Sequence, residues 1–443
     1  MGIKRLLGST LAKETGISLF LKISQAIFSF MTTVLLARIL GAEGYGIYAY
    51  AFAFVMLLSM PAQAGLPTLV IRETARGMAE GKPELVQGIW RWATKVAMLI
   101  SLSLLFVIGL FFLLLKGKKF GVKEWTFFWA FLFIPFMCLS NLRGAALRGL
   151  HKVVIGQLPE FFIRPALFFT FLCIAGFFLH QRLTPPQAMA LNVFSAVLAF
   201  IIGTWVLWKN TPLSIYKATP VYDGKKWLSS FLPLAFTAGM WVINSQADIV
   251  MLGIFKPPAE VGIYRVAVQI ALVASFGLQA VNMVVAPRFA TFYTKREMDR
   301  LQRLVTRSAQ IVLTFNLLVT SFFVIFGRTF LNLVFGKEFI IAYIPLLILL
   351  IGQLVNSAAG SVRVLLNMSG YEKDTAVGMV LAASVNIILN FLLIPKWGAN
   401  GAAIATTVSM IIWNIILWWF VYKRLRINSC ALNLNLRRGY EKT

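Results

Sequence analysis

The sequence predicts an all-α integral membrane protein, and three observations support this prediction. Of the 443 residues, 59% are apolar and 13% are charged, and the mean hydropathy is +0.79. A soluble fold must cover itself with polar groups, so this composition excludes one. Apolar stretches of about 20 residues, the length of a membrane-spanning helix, recur from end to end. They lack the alternation of a β-barrel, so helices must satisfy the backbone in lipid.

Twelve apolar stretches are predicted to be transmembrane helices. They lie at about 16–40, 45–71, 90–115, 125–146, 154–180, 187–208, 228–255, 262–287, 305–327, 341–366, 376–394 and 400–422. Grouped by sixes, they predict an N-terminal lobe (1–210), a linker (211–227), a C-terminal lobe (228–422) and a basic tail (423–443). Lys and Arg are concentrated in alternate loops, which the positive-inside rule assigns, with both termini, to the cytoplasm.

An internal repeat indicates that the two lobes are related by pseudo-symmetry. The tripeptide Gly-Ile-Tyr at 46–48 recurs at 262–264, which is 216 positions later. At the same offset, without a gap, Gln63-Ala64 recurs as Gln279-Ala280. A pattern of helix, break and helix repeated at half the chain length is typical of secondary transporters. The sequence therefore predicts two six-helix halves.

The two copies of the repeat differ in one acidic residue. Asp248 stands at the position where the first copy has Thr32. It lies about seven residues from the outer end of span seven, or roughly 10 Å deep. We expect an ion pair with Arg265 or Arg38, either static or acting as a gate. If the acid instead releases its partner and takes up a proton, it couples transport to an ion gradient.

The net charge of +26 does not indicate nucleic-acid binding, because the Lys and Arg residues lie in short loops between spans and not on one compact face. The three cysteines and two histidines are scattered along the chain. The sequence thus predicts no metal site, no cofactor and no catalytic centre.

Ionisable groups within the spans are the candidate functional residues, because a charge at membrane depth is costly unless it is paired or hydrated. Arg164 lies about ten residues into span five, so about 15 Å deep and near the midplane. Pro159 and Pro165 flank this region, and Glu160 lies one helical turn before Arg164. The two charges form either a self-neutralising pair or a site in which Arg164 binds a pyrophosphate.

Three further cations complete the predicted cationic cavity. Lys22 lies about 9 Å below the inner surface, where a lysine could also extend its ammonium group to water. Arg143 and Arg363 lie near the inner ends of spans four and ten. They are either ordinary positive-inside anchors or side chains at the inner mouth of the cavity.

Several motifs resemble those of a known family. VLLARILGAEGYGIYAYAFAF in the first half and ADIVMLGIFKPPAEVGIYRVAVQ in the second carry most of the resemblance, and AALRGLHK, LLNMSGYEK and LIPKWGANGAAIAT add to it. In order and spacing they are similar to the polysaccharide repeat-unit (O-antigen, Wzx-type) flippases of the multidrug/oligosaccharidyl-lipid/polysaccharide exporter superfamily. The motifs indicate the family better than the substrate.

The resemblance implies two six-helix lobes around a central cavity that opens alternately to each side of the bacterial cytoplasmic membrane. It implies flipping of undecaprenyl-pyrophosphate-linked oligosaccharides to the outer leaflet, without enzymatic chemistry. Coupling to H⁺ or Na⁺, contacts with membrane lipids, and polysaccharide polymerase and chain-length proteins as partners are also expected.

Two alternatives remain open. A drug or organic-cation antiporter of the same superfamily would require acids in its cavity, and the spans offer Glu160 and Asp248 against many bases. A membrane-embedded polysaccharide polymerase or ligase would require a sizeable outer loop with converging Arg, His or acidic residues, whereas the outer loops here are short.

Overall fold

The computed structural model describes residues 2–63, 65–114, 120–178 and 183–431, and these ranges are helical without a β-strand. The first half contains α1 (Gly2–Leu58), α2 (Met60–Gln63), α3 (Leu66–Ala79), α4 (Pro83–Leu114), α5 (Val122–Gly149), α6 (Val153–Leu158), a π-helical turn (Pro159–Ile163), α7 (Arg164–Phe178), α8 (Pro185–Asn210) and α9 (Leu213–Tyr216). The second half contains α10 (Gly224–Phe255), α11 (Pro258–Thr294), α12 (Met298–Val334), a 3₁₀ helix (Lys337–Ala342), α13 (Tyr343–Ala359), α14 (Val362–Met368) and α15 (Glu372–Leu425). Residues 432–443 of the predicted tail lie outside the described residues.

Ten helical segments in the described ranges are long and apolar enough to cross a membrane. The prediction of an all-α membrane protein is therefore confirmed. Two of the ten are unusually long, since α1 has 57 residues and α15 has 54. At 1.5 Å per residue each would measure about 80 Å if straight, which is more than twice the hydrocarbon thickness of about 30 Å.

The helix α15 is a hairpin with two antiparallel arms. Its backbone leaves the helical region at Gly398, where φ is 53° and ψ is −130°. Near the two ends of the helix, Arg424 donates to Asp374 from Nε at 2.8 Å and from Nη2 at 3.2 Å. These residues are 50 positions apart, so a straight helix would separate them by about 75 Å. The chain must therefore reverse direction near Gly398.

The helix α1 reverses in the same way at Gly41, where φ is 68°. The ring of Phe28 lies 6.1 Å from that of Phe169, and the ring of Tyr48 lies 6.4 Å from that of the adjacent Phe168. In a straight helix Phe28 and Tyr48 would be about 30 Å apart. Because α1 and α15 each contain two arms, the ten helical segments correspond to the twelve predicted spans. The number of crossings itself stays a prediction.

The chain divides into two compact units, Met1–Gln246 and Ala247–Thr443. The division falls within α10. The predicted linker, 211–227, packs within the first unit: the Val221 N–H donates to the Glu84 carbonyl at 3.1 Å, and Trp227 is buried with its ring 5.7 Å from that of Trp92. The predicted arrangement of two lobes around a central cavity stays a prediction.

In the first unit, α5 packs against α1, α3, α4 and α8. Phe133 and Met137 of α5 form an apolar cluster with side chains of α8. Close to the C-terminal end of α5, Gly144 faces Gly156 of α6, and a Cβ on either glycine would lie 2.8 Å from the carbonyl oxygen of the other. The absence of side chains lets the two backbones approach closely. This contact brings the π-helical turn that follows α6 next to α5.

In the second unit, α13 packs against α11, α12 and α15. The start of α11 also supports the tip of the α15 hairpin, because the Glu260 carboxylate accepts the backbone N–H of Ala399 at 3.0 Å. Here Glu260 serves as an N-cap from a neighbouring helix, with its negative charge at the start of the second arm. A side chain at Gly398 would overlap this carboxylate.

We expect Gly398→Ala to lower the midpoint temperature of thermal unfolding in mild detergent. The methyl group would be strained at positive φ and would displace Glu260 from Ala399. Gly370→Ala is the matched control, because Gly370 has φ 84° and no atom within 4 Å of an added Cβ. Both variants carry a backbone strain of about 1–2 kcal/mol, so equal temperature shifts would contradict a role for the Glu260 cap.

Candidate functional site

A charged triad lies in the first unit, formed by Arg143 of α5, Glu160 of the π-helical turn and Arg164 at the start of α7. The Nη1 atom of Arg164 lies 3.2 Å from Oε2 of Glu160, and Nη2 of Arg143 lies 3.6 Å from Oε1. The predicted pairing of Glu160 with Arg164 is confirmed, and Arg143 is an additional partner. Two guanidinium groups share one carboxylate, so the triad has a net charge of +1.

The two prolines around this segment explain the local backbone. The N–H of Arg164 donates to the carbonyl of Pro159, five residues back instead of four. The next residue, Pro165, has no N–H with which to resume the α-helical ladder to Phe161. The resulting π turn accommodates one extra residue, a distortion that is frequent at functional sites. It presents Glu160 to both arginines.

Arg143 is the buried member of the triad, with its side chain 4% exposed. Its Nη1 donates to the Phe200 carbonyl at 2.5 Å, and its guanidinium lies 5.5 Å from the Phe200 ring centre. A Cβ at Gly203 of α8 would overlap the guanidinium. The space left by this glycine therefore holds the cation against α8, and Glu160 supplies its counter-charge.

Arg164 is the accessible member of the triad. Its side chain is 21% exposed, and the guanidinium carbon lies 5.2 Å from the centre of the Phe133 ring. A guanidinium on an aromatic face keeps its N–H groups at the edge, where an anion can accept them. Because Arg143 offsets the charge of Glu160, the positive charge of Arg164 remains available to an anion.

The other predicted cations lie apart from the triad. Lys22 of α1 is exposed in the first unit and forms no ion pair with a described residue. Arg363 is exposed in the second unit, on the seven-residue helix α14 that follows the break at Gly360. Its surroundings thus differ from those of the buried Arg143. A single cationic cavity that includes Lys22 and Arg363 stays a prediction.

A second polar cluster surrounds Asp248 in the second unit, where this residue of α10 is 7% exposed. The Nδ2 atom of Asn390 donates to Oδ1 at 2.6 Å, and the hydroxyl of Tyr264 donates to Oδ2 at 2.9 Å. The hydroxyl of Thr406 also donates to Oδ2. Asp248 is therefore bonded to α11 and to both arms of the α15 hairpin, entirely through neutral groups.

The predicted ion pair between Asp248 and Arg265 is wrong. No Lys or Arg nitrogen among the described residues of the second unit lies within 4.0 Å of Asp248. Neighbouring residues on a helix point about 100° apart. Since Tyr264 points at Asp248, the adjacent Arg265 points elsewhere. Arg38 lies in the first unit, exposed, three residues before the break at Gly41. The roles of these charges as a gate stay predictions.

The Gly-Ile-Tyr repeat explains part of this cluster. In the first unit the hydroxyl of Tyr48 accepts a hydrogen bond from Nδ2 of Asn192 at 2.8 Å. In the second unit the equivalent Tyr264 lies 3.0 Å from the Thr406 hydroxyl. Each repeat thus joins its tyrosine to a polar side chain of another helix, α8 in the first unit and α15 in the second. Sequence reasoning missed Tyr264 as a partner of Asp248, although the repeat contained the signal.

Comparison with known proteins places the chain in a family. The profile of the family described as "Polysaccharide biosynthesis protein" matches residues 11–293, which is more than half of the chain. The chain belongs to this family. The resemblance inferred from the sequence motifs is thereby confirmed.

Two curated relatives illustrate the family. The "probable low-salt glycan biosynthesis flippase Agl15" of Haloferax volcanii is 24% identical over 412 residues, which cover 91% of this chain and 82% of that protein. A protein of Shigella flexneri that carries the name of an O-antigen transporter is 23% identical over 410 residues, which cover 88% of this chain and 92% of that protein.

Solved structures share the fold. An inward-facing multidrug resistance transporter of the MATE family, in the MOP superfamily, aligns with a TM-score of 0.73 at 14% identity, covering 93% of this chain and 98% of that one. The lipid II flippase MurJ, in an inward closed conformation, aligns with a TM-score of 0.72 at 16% identity. The alignment covers 93% of this chain and 87% of that one. At such identities the likeness concerns the fold alone.

We expect Glu160→Gln to destabilise the first unit, because it leaves the buried Arg143 without a counter-charge. Breaking a buried ion pair typically costs about 3–5 kcal/mol. The double variant Arg143→Met/Glu160→Gln removes both charges and should recover most of the loss. Thermal unfolding in detergent measures both effects. A double variant no more stable than Glu160→Gln alone would contradict this account.

Glu80→Gln is the control for this substitution. Glu80 is exposed at the end of α3, and hydrogen bonds from Arg76 and Lys82 lower the pKa of its carboxyl to about 2. Water and salt screen a surface pair of this kind. We therefore expect the same Glu-to-Gln change at this position to leave the unfolding temperature nearly unaltered.

Proposed function

We propose that this multi-pass membrane protein flips a lipid-linked oligosaccharide, carried on a polyprenyl pyrophosphate such as undecaprenyl pyrophosphate, from the inner to the outer leaflet of the cytoplasmic membrane by alternating access. The observation that carries the proposal is the triad of net charge +1 in helices of membrane-spanning length. Relatives named as a flippase and an O-antigen transporter support it. Polysaccharide polymerase and chain-length proteins are the expected partners.

The physical problem of flipping is to move a diphosphate across hydrocarbon. Pairing with protein cations removes much of the energetic penalty of that charge, while the polyprenyl tail stays in lipid. Arg164 is the primary candidate because it is accessible and its counter-charge is shared with Arg143. The exposed Lys22 and Arg363 add positive charge to each unit.

Asp248 is the candidate for energy coupling. A buried carboxylate that has only neutral partners gains from binding a proton or Na⁺, since either neutralises it in a medium of low dielectric constant. The oxygens of Tyr264 and Thr406 lie beside the carboxylate and can share such a cation. Because Asn390 and Thr406 belong to opposite arms of α15, occupancy by a cation would alter the bonding of the hairpin.

The alternatives differ in the charge that they require. An organic-cation antiporter needs an accessible acid, but Glu160 is neutralised by two arginines and Asp248 is 7% exposed. The shared fold does not discriminate, because a multidrug transporter and a flippase both match it. A polymerase or ligase is disfavoured because the curated relatives are named as a flippase and a transporter.

We expect Arg164→Ala and Lys22→Ala to abolish flipping in reconstituted liposomes, with normal amounts of protein in the membrane. Purified wild-type protein should be stabilised against heat by undecaprenyl pyrophosphate but not by lipophilic cations, and Arg164→Ala should lose this stabilisation. Lys225→Ala, which removes an exposed cation at the start of α10, is the control. Full flipping by both variants, or stabilisation by lipophilic cations only, would rule out the cationic site.

We expect Asp248→Asn to uncouple transport from its driving gradient. The amide has nearly the same shape as the carboxylate but carries no negative charge that a proton or Na⁺ could neutralise. Flipping would be measured in liposomes with an imposed pH gradient or an imposed Na⁺ gradient, which separates the two ions. Asp299→Asn is the control, since Asp299 is exposed in the first turn of α12. Unchanged gradient dependence in Asp248→Asn would remove this residue from the coupling mechanism.

A further inference from the structure

The first unit contains a cavity of about 560 Å³ that lies over α5 between α4 and α8. This volume is typical of sites for small organic ligands, about 300–1,000 Å³. The walls are mainly apolar, with Leu139, Leu142 and Ala146 from α5 and Phe200 and Leu207 from α8. Gln87, Thr94 and Thr204 also line the cavity, but most of its surface is apolar and therefore suits hydrocarbon better than sugars.

The charged residues that line this cavity are all cationic. Arg143, Arg91 and Lys95 contribute to the lining, and no acidic residue does. Arg91 and Lys95 are exposed, whereas Arg143 is 4% exposed. The Nε atom of Arg143 has no hydrogen-bond acceptor in the described part of the chain, and Nη2 has only the ion pair with Glu160 Oε1 at 3.6 Å, which is too long for a hydrogen bond. Buried donors of a guanidinium group are costly to leave unpaired, so an anionic acceptor would fit here.

The depth of the cavity can be read from the helix ends. Gln87 lies four residues after the start of α4, which is about 6 Å along the axis. Arg143 lies six residues before the end of α5, and Thr204 lies six before the end of α8, about 9 Å in each case. The segments that adjoin these three ends each contain one lysine, namely Lys82, Lys152 and Lys217.

Aromatic residues next to the cavity also indicate that it lies near the ends of the helices. Trp205 and Trp208 of α8 are 56% and 66% exposed, and the ammonium of Lys209 lies 5.3 Å from the centre of the Trp205 ring. Tryptophan is enriched where a membrane protein meets the lipid headgroups, and a lysine beside it extends toward water. The cavity therefore lies at headgroup depth.

We propose that this cavity binds the phosphate group of an anionic membrane phospholipid. Arg143 would supply the buried donors, Arg91 and Lys95 would pair with the phosphate at the rim, and the apolar walls would contact the acyl chains. This ligand is distinct from the transported oligosaccharide lipid. A bound phospholipid would stabilise α4 and α8 on α5 and satisfy the unpaired donors of Arg143.

The test is a lipid titration of the detergent-purified full-length protein, with binding followed by native mass spectrometry and by the midpoint temperature of thermal unfolding. Dioleoylphosphatidylglycerol should bind and raise the unfolding temperature, while dioleoylphosphatidylcholine should do so far less. The double variant Arg91→Ala/Lys95→Ala should bind phosphatidylglycerol about tenfold or more weakly, the scale expected for two cations near a membrane surface.

Two further variants locate the site. Lys217→Ala/Lys225→Ala removes the same charge from exposed positions outside the cavity and should bind the lipid as the wild type does. Thr204→Trp places a large side chain at the exposed rim and should weaken binding without altering charge. Equal losses in the two double variants, or unaltered binding by Thr204→Trp, would overturn the proposal.

Two alternative ligands, one soluble ion and one lipid, identify the source of the phosphate. Inorganic phosphate should give no comparable stabilisation. If it does, and Arg91→Ala/Lys95→Ala abolishes the effect, the cavity is an ion site and the lipid proposal is wrong. If undecaprenyl pyrophosphate stabilises the protein through these residues and phosphatidylglycerol does not, the cavity serves the transported lipid and the phospholipid proposal is equally overturned.

Discussion

The constraint on which this structure depends is that a charge inside a membrane helix needs a partner. The first unit meets it with opposite charges, since one carboxylate, Glu160, lies between two guanidinium groups. The second unit meets it with hydrogen bonds from neutral groups to Asp248. The charge that remains therefore differs between the two clusters: the cluster in the first unit is net positive, and the cluster in the second unit contains an acid without a counter-charge. An anionic substrate and a coupling cation are the ligands that these properties suit.

Backbone irregularities make both clusters possible. The π turn between Pro159 and Pro165 presents Glu160 to Arg143 and Arg164, which a regular helix would not guarantee. In the second unit, the reversal at Gly398 places Asn390 and Thr406 on opposite arms of one hairpin, so that both reach Asp248. Glycine and proline thus act here by allowing polar side chains from distant positions to meet.

Arg143 connects the charged triad with the cavity in the first unit. Its Nη1 donates to the Phe200 carbonyl and its Nη2 lies 3.6 Å from Glu160, while Nε lacks an acceptor among the described residues. The space for this arrangement exists only because position 203 is a glycine. A ligand in the cavity and a change in the triad would therefore act on the same side chain, which gives phospholipid binding a route to influence the charge presented by Arg164.

The sequence by itself determined the membrane class, the helical repeat and the family, because hydrophobic length, periodicity and motif order are local properties of the chain. It also predicted the Glu160–Arg164 pair, since one helical turn separates the two residues. Only the tertiary structure decided that Arg143 joins this pair and that Asp248 is bonded to Tyr264, Asn390 and Thr406 instead of Arg265. These contacts span 16 to 158 positions, and the direction in which a side chain points across a helix interface depends on packing that no local pattern encodes.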